Sequence, residues 1–335
     1  MNTTTSPSIS VIIPTYNRKN RLVNCVKSVL RAADVYQGYI QVVIVDDAST
    51  DGTDIEFKKE LQNFRVRYIK NETNKLTTYC RNIGAFTFNQ DTCKNPIDWF
   101  LFLDSDNEVD ETIFENFGEF IATQPDNFGF VAALTYNIPE NRFYSLGGKI
   151  NWFTGRLKCK LKSFFDKAKN YDEIDDLNLP EFINTSLGIP NATFIKASAF
   201  RIVGGYNTIY GVDYEDDDIG MRLTNSGFIG GICTKLKTKH FHIDKTNKES
   251  NDPILRRLGV YTPRFAFNLT RNKIWFMKQF SPWYTFPFYL CTFAWIPGAY
   301  FALRAFMRKR PDCAFATLKG ILAGIFTSPP PCKFN

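Results

Sequence analysis

The sequence predicts an α/β protein in which a mixed, mostly parallel sheet lies between helices, and three observations carry that expectation. Short apolar runs occur at Ile9 to Pro14, Ile40 to Val45 and Trp99 to Leu103, the last without one polar residue. Such runs suit strands covered on both faces. Between the first two, Leu22, Val23, Val26, Val29, Leu30 and Ala33 recur at helical spacing, so strand, helix and strand form a right-handed crossover. A chain of 335 residues with 44% hydrophobic and 16% aromatic content can bury a large core in one large or two moderate domains.

In chain order, the first strand closes at Pro14 and runs into the polar turn Thr15-Tyr16-Asn17-Arg18. The helix that follows leaves Arg21, Lys27 and Arg31 for solvent. Ile40 to Val45 then runs into Asp46-Asp47-Ala48-Ser49-Thr50-Asp51-Gly52-Thr53. A helix around Asp54 to Gln62, a strand at Val66 to Lys70 and a helix at Thr77 to Phe88, with Arg81 near its start, lead to Trp99 to Leu103. That strand ends in Asp104-Ser105-Asp106. Three strands thus deliver polar turns to one edge, where open α/β sheets bind ligands. Phe128 to Asn137 reads as a further strand. After a segment from 139 to 190 that mixes basic, aromatic and acidic parts, a helix starts near Glu215 and stops at Gly227, and a strand leads to Lys239-His240-Phe241-His242.

Asp104 and Asp106 are two like charges one residue apart and need a compensating cation. Oxygen ligands favour Mg²⁺ or Mn²⁺, which share their remaining positions with water and phosphates; the other reading is a solvated Asp-rich turn. Between Asp213 and Asp218, five of six residues are acidic. An exposed helix start would also take acids there, through the helix dipole. The chain's two histidines lie two apart and share a face of their strand; a neutral imidazole can complete an oxygen-rich metal shell. No Gly-x-Gly-x-x-Gly follows the first strand and no phosphate loop of the Gly-Lys-Ser/Thr kind occurs, which disfavours hydride transfer and P-loop hydrolysis.

The net charge of +7 and pI near 8.9 suit anionic membranes, phosphorylated substrates or nucleic acid, but no nucleic-acid module interleaves aromatic and basic residues, so no nucleic-acid partner is expected. Eight scattered cysteines form no Cys-x-x-Cys pair and read as plain thiols. The polar stretch Met1 to Ser8 and the short apolar run after it do not form a signal peptide, so a cytoplasmic protein is expected.

Pro14-Thr15-Tyr16-Asn17-Arg18, the acidic turn from Asp46 to Thr53, Arg81-Asn82-Ile83-Gly84, Asp104-Ser105-Asp106 and Glu215-Asp216-x-Asp218-Ile219-x-x-Arg222 occur in an informative order. Together they resemble the family 2 inverting glycosyltransferases of GT-A fold, from about Ile9 to His242. The resemblance implies that Pro14, Tyr16, Asn17, Arg18, Asp46, Asp47, Arg81 and Asp104 hold the nucleotide, with Asp47 on the base and Asp104 near the ribose. It further implies that Asp106 binds a diphosphate-bridging Mn²⁺ or Mg²⁺, helped by His242 or, less favoured, His240. Asp216 would be the general base, with Glu215 and Asp218 as possible supporting acids. The expected organisation is a catalytic domain over residues 1–264, with a donor half at about 9–137 and an acceptor half at about 138–264.

The expected reaction moves one sugar from a nucleotide diphosphate sugar to a hydroxyl of a lipid-linked glycan, since the Gln-x-x-Arg-Trp motif of processive synthases is absent. The alternatives are a polyprenyl-phosphate sugar synthase and an inactive membrane-bound sugar-nucleotide or glycan-binding protein. Residues 265–335 read as a helical membrane-associating region on the cytoplasmic face. Gln279 to Leu303 carries no charge, is interrupted by Pro282, Pro287 and Pro297, and has basic residues on both flanks. An interfacial or re-entrant segment, with Ala314 to Phe326 alongside, fits that pattern better than a single span.

Overall fold

A computed structural model describes residues 6–87, 96–164, 170–211, 213–241, 262–330 and 332. Its strands are β1 (Ile9–Thr15), β2 (Ile40–Asp46), β3 (Val66–Lys70), β4 (Trp99–Leu103), β5 (Asn107–Val109), β6 (Phe128–Asn137), β7 (Arg142–Phe143), β8 (Gly148–Asn151), β9 (Arg156–Cys159), β10 (Phe182–Asn184), β11 (Ala192–Lys196) and β12 (Ile229–His240). The helices are α1 (Lys19–Val35), α2 (Thr53–Glu56), α3 (Thr77–Thr87), α4 (Ile113–Ala122), α5 (Ala197–Ile202), α6 (Glu215–Asn225), α7 (Pro263–Phe280), α8 (Phe286–Cys291), α9 (Ile296–Met307) and α10 (Pro311–Phe326).

One curled sheet runs β10-β12-β6-β11-β4-β1-β2-β3, with β5 beside β12 and β7 beside β6. The pairs β1–β2, β2–β3, β1–β4 and β6–β12 are parallel. Antiparallel β11 sits between β4 and β6, so β1, β2, β4, β6 and β12 all end on one edge. This is the mixed, mostly parallel GT-A arrangement. Antiparallel β11 was not legible in advance, because its Ala-Thr-Phe-Ile-Lys run is too short to declare a direction.

The run Trp99 to Leu103 is buried on both faces as its composition requires. Trp99, Leu101 and Leu103 join the layer under α1 and α4, while Phe100 and Phe102 join the opposite layer with Phe200 and Tyr206. Burial of each such side chain stabilises by about 1.5–3 kcal/mol. The segment expected as one helix from Asp54 to Gln62 is instead α2 followed by a π turn, Phe57–Leu61. Phe57 stacks on Tyr68 at 4.6 Å and Leu61 is buried, so these two still face the sheet, while Ile55 points to solvent.

The C-terminal helices form their own small clusters, with α7 seated against the β8–β9 hairpin and the loop before α6 and α10 packed on α7.

Candidate active site at the strand ends

The turn after β4 is fixed by its backbone before any side chain acts. Asn107 N–H donates to the Asp104 carbonyl at 3.0 Å, and Phe241 N–H to the Asp106 carbonyl at 2.9 Å. Because β12 pairs His240 with Asn107 on β5 and with Asn137 on β6, its last residue arrives beside this turn. Asp106 is buried. Its Oδ2 accepts from Arg18 Nη1 at 2.9 Å, and its Oδ1 stands 3.5 Å from His240 Nε2. His240 Nδ1 lies 2.5 Å from Asn137 Oδ1, a contact that orients the ring with Nε2 toward Asp106. Burial opposes the charge on Asp106, but His240 and Arg18 hold its carboxyl below the ordinary range.

The two earlier turns divide into cleft wall and scaffold. Pro14, Tyr16, Arg18 and Asp47 line a cleft of about 580 Å³ at this edge, together with Arg81 and Asp104. Asp47 accepts from Asn71 Nδ2 at 2.9 Å and from the backbone N–H groups of Lys75 and Leu76, each at 2.8 Å, so it pins the loop before α3. Asn17 and Asp46, both expected at the nucleotide, do not line the cleft. Asn17 adopts φ 52° and accepts from Thr50 N–H at 2.8 Å; Asp46, fully buried, accepts from Ser49 N–H at 2.8 Å and from the Tyr68 hydroxyl. Both side chains, one amide and one carboxylate, are spent on turn geometry, which a spacing argument cannot distinguish from ligand contact.

Arg81 joins the end of β4 to α6. Gly84, one turn later, lets α3 lie directly on β1: a Cβ there would meet Ile12 Cγ2 at 2.6 Å. The close approach seats the buried Arg81 guanidinium over Tyr206, 4.9 Å from its ring centroid. Nη2 donates to Asp104 Oδ1 at 2.9 Å and Nη1 to Asp216 Oδ1 at 2.8 Å. Asp104 Oδ2 is held by Asn191 Nδ2 at 3.2 Å.

Before α6, Asp213 and Tyr214 both take positive φ, 68° and 71°, a strained pair of the kind that persists only where neighbours hold it. Asn272 of α7 is the holder: its Nδ2 donates to the carbonyls of Tyr210 and Asp213, each at 3.0 Å. Burial pushes Asp216 above the ordinary carboxylate range; Arg81 opposes this and Asp104 adds to it. Glu215 is pushed well above that range by burial and by the adjacent Asp216 charge. Asp217 accepts from Gly188 N–H at 2.7 Å and is raised to about 6 by burial. Asp218, expected as a supporting acid, does not line the cleft; fully buried, it pairs with Arg222 at 2.6 Å one turn along.

The cleft wall also includes Asn74, Tyr144, Asn191, Asp217 and Phe265, none of which the sequence reading singled out. Asp217 alone left a trace, as a member of the acidic run. His242 lies outside the described residues, whereas His240 stands at Asp106. Among the described residues, no cluster of three or more His, Cys, Asp or Glu donors forms. Asp106 Oδ1 is nevertheless buried without a hydrogen bond and faces an imidazole nitrogen. One carboxylate and one imidazole fit Mn²⁺ or Mg²⁺ when water and phosphate oxygens fill the rest of the shell.

Residues 10–179, half of the chain, match the family model described as Glycosyl transferase family 2. The chain belongs to glycosyl transferase family 2. This family member is 34% identical over 99 residues to a protein of Haemophilus influenzae named "Uncharacterized glycosyltransferase", covering 30% of this chain and 29% of that one. It is 27% identical over 140 residues to "Glycosyltransferase GlyG" of Streptococcus pneumoniae serotype 4, covering 42% of this chain and 43% of that one. The similarity to "Glycosyltransferase GlyA" of the same organism is 28% over 138 residues, 41% of this chain and 18% of the relative. The chain thus matches less than half the length of each of these relatives.

Proposed function

We propose that this family 2 member transfers one sugar, with inversion, from a nucleotide diphosphate sugar to an acceptor hydroxyl, assisted by Mn²⁺ or Mg²⁺. The observation that carries the reading is that one cleft holds Asp104 on one wall and Asp216 on the other, tied through Arg81, with Asp106 buried next to that wall and paired with its Arg18. Tyr16 and Asp47 flank the position of the nucleotide base, and Asp104 that of the ribose. Asp106 and His240 would hold the metal, which when bound neutralises charge on the departing diphosphate. Arg18, half-exposed at the same carboxylate, adds a second positive charge for the phosphates.

Asp216 takes the proton from the acceptor hydroxyl as that oxygen attacks the anomeric carbon opposite the leaving group. Its raised proton affinity suits this, because a base works best with a pKa near the working pH. Arg81 orients the Asp216 carboxylate and keeps it from turning toward Glu215. The transfer needs no covalent intermediate and no nucleophilic Cys or Ser. A lipid-linked glycan is the proposed acceptor.

The test is a panel of nucleotide sugars with Mn²⁺ or Mg²⁺, read by thermal unfolding and by slow donor hydrolysis. One donor class at a hundredfold excess over its Kd stabilises by about 2.7 kcal/mol, and only with metal. If no nucleotide sugar stabilises the protein and none is hydrolysed, the reading fails.

A further inference from the structure

The C-terminal helices reverse the size pattern of a soluble bundle. On α9 the inward positions are Gly298, Ala302 and Ala305, while Ile296, Tyr300, Leu303, Phe306 and Met307 point outward. On α10 Gly320 and Gly324 lie against α7, where a Cβ on Gly320 would strike the Phe267 carbonyl and the Thr270 side chain. Phe315, Leu318, Leu322 and Phe326 face out at helical spacing, Phe326 80% exposed. Trp283, at the corner before α8, is 85% exposed. Helices apolar on both sides occur in the interior of large proteins or in lipid, and an exposed apolar surface of this extent marks an interaction site.

The charge around this face has one sign. Residues 262–335 hold ten Lys and Arg and a single acid, Asp312, more than accounting for the net +7 of the chain. That acid is already taken by Arg310 at 2.8 Å. Arg304, Arg308, Lys309, Arg310 and Lys319 therefore ring an apolar surface with positive charge, and aromatic residues sit at its edge. The complementary partner is an anionic lipid interface, where apolar insertion and attraction to headgroups add.

Phe286–Met307 is long enough to cross a bilayer, with mean hydropathy 1.3. Its two helices are interrupted at residues 292–295, however, and α9 rests by its small-residue face on α10. α10 in turn packs on α7, which is bonded to the catalytic domain through Asn272 and through Arg271 Nη2 donating to the Ile209 carbonyl at 3.0 Å. A span would have to strip α9 from α10.

We infer that the outward face of α9 and α10, with the corner at Trp283, docks in the plane of an anionic phospholipid surface. Phe265, in the first turn of α7, lines the cleft, so docking brings the cleft to that interface. The inference concerns a surface outside the cleft and holds whether or not the transfer reading does.

The experiment makes the full chain in a cell-free system with vesicles of phosphatidylcholine alone or mixed with phosphatidylglycerol, then floats the vesicles. The chain floats with the mixed vesicles, less with phosphatidylcholine alone, and stays bound in high salt. Lipids brominated near the headgroup quench tryptophan fluorescence more than lipids brominated near the chain ends. Leu303→Asp with Leu318→Asp lowers partition about tenfold or more, and Lys309→Glu with Lys319→Glu removes the preference for the anionic lipid. Thermal unfolding of each variant in mild detergent verifies that it is folded.

Equal flotation of the Leu303/Leu318 variant and the parent overturns the proposal, as does deepest quenching at the bilayer centre. A parent that ignores vesicles and forms a discrete dimer, which Leu303→Asp dissociates, would assign the face to a second copy of the chain instead.

Discussion

Asp106 at the end of β4 is paired with Arg18 and stands beside His240, whereas across the cleft Asp216 shares the Arg81 guanidinium with Asp104, and Asp217 accepts from the Gly188 N–H. Asp104 faces Glu215, Asp216 and Asp217 across one cavity, and Asp106 lies buried two residues beyond Asp104. The proton affinities of Asp106 and the α6 acids move in opposite directions: Asp106 is held below the ordinary carboxylate range, and all three α6 acids are pushed above it. The difference teaches that Asp106 is held ionised, as a ligand for a cation would have to be, while the α6 acids are poised to take up a proton.

The largest effect separating the walls comes from Asp106→Ala. Transfer should fall by about 10²- to 10³-fold, the range a group stabilising the leaving charge typically contributes, and metal-dependent nucleotide binding should disappear. The fold survives, because the released Arg18 can turn to water. Binding isotherms with and without Mn²⁺ check this; unchanged metal dependence would remove Asp106 from the site.

Arg81→Met cuts the tie between the walls. Breaking a buried ion pair by removing one partner costs about 3–5 kcal/mol, here with two carboxylates left behind, and urea unfolding would read it. A loss below about 1 kcal/mol would mean that water reaches both acids freely and that the bridge is incidental.

A smaller effect is the pH profile. The titratable groups around Asp216 include Arg81, Asp104, Tyr206, Glu215, Asp217 and Tyr144. A base with a raised pKa must lose its proton to act, so kcat/KM should climb with pH over a limb lying above the ordinary carboxylate pKa of about 4. The limb belongs to the coupled Glu215–Asp216 pair. A rate that is flat down to pH 4 would contradict the assignment of the α6 wall.

Asp217→Asn should give the smallest change. Its native pKa of about 6 exceeds the ordinary 3.8, so wild-type stability is lost as pH rises through that window. Asn keeps an acceptor for Gly188 N–H and removes the buried charge. The variant should match wild type below pH 4 and gain on the order of 1–3 kcal/mol above pH 7; thermal melts across pH would show it. Equal stability at both ends would place Asp217 in ready contact with solvent.

The sheet and the strand-end wall were legible because strands buried on both faces must be apolar and must end where the chain turns polar, as Trp99 to Asp106 does. The roles within each acidic motif were less legible. Asp46 and Asp47 are neighbours in sequence, but one points into the turn and the other to the cleft wall, a distinction set by the β2 pleat and by partners at Tyr68 and Lys75. Asp218 could have been read from sequence as the partner of Arg222, four residues on. Asn191 and Tyr144 could not, because they reach the cleft through β11 and the irregular segment after β7. The alternative of a solvated acidic helix start fails for α6, where a Cβ on Gly220 would strike the Ser186 carbonyl and the acids sit against packed structure.

The most direct measurement compares Asp216→Asn with wild type for donor binding and for sugar transfer in the same preparation. The substitution keeps size and removes the base. The account predicts donor affinity near wild type with transfer reduced by about 10²- to 10⁴-fold. Transfer at the wild-type rate would contradict it, and the proton would then have to be taken by Glu215 or by no side chain of α6.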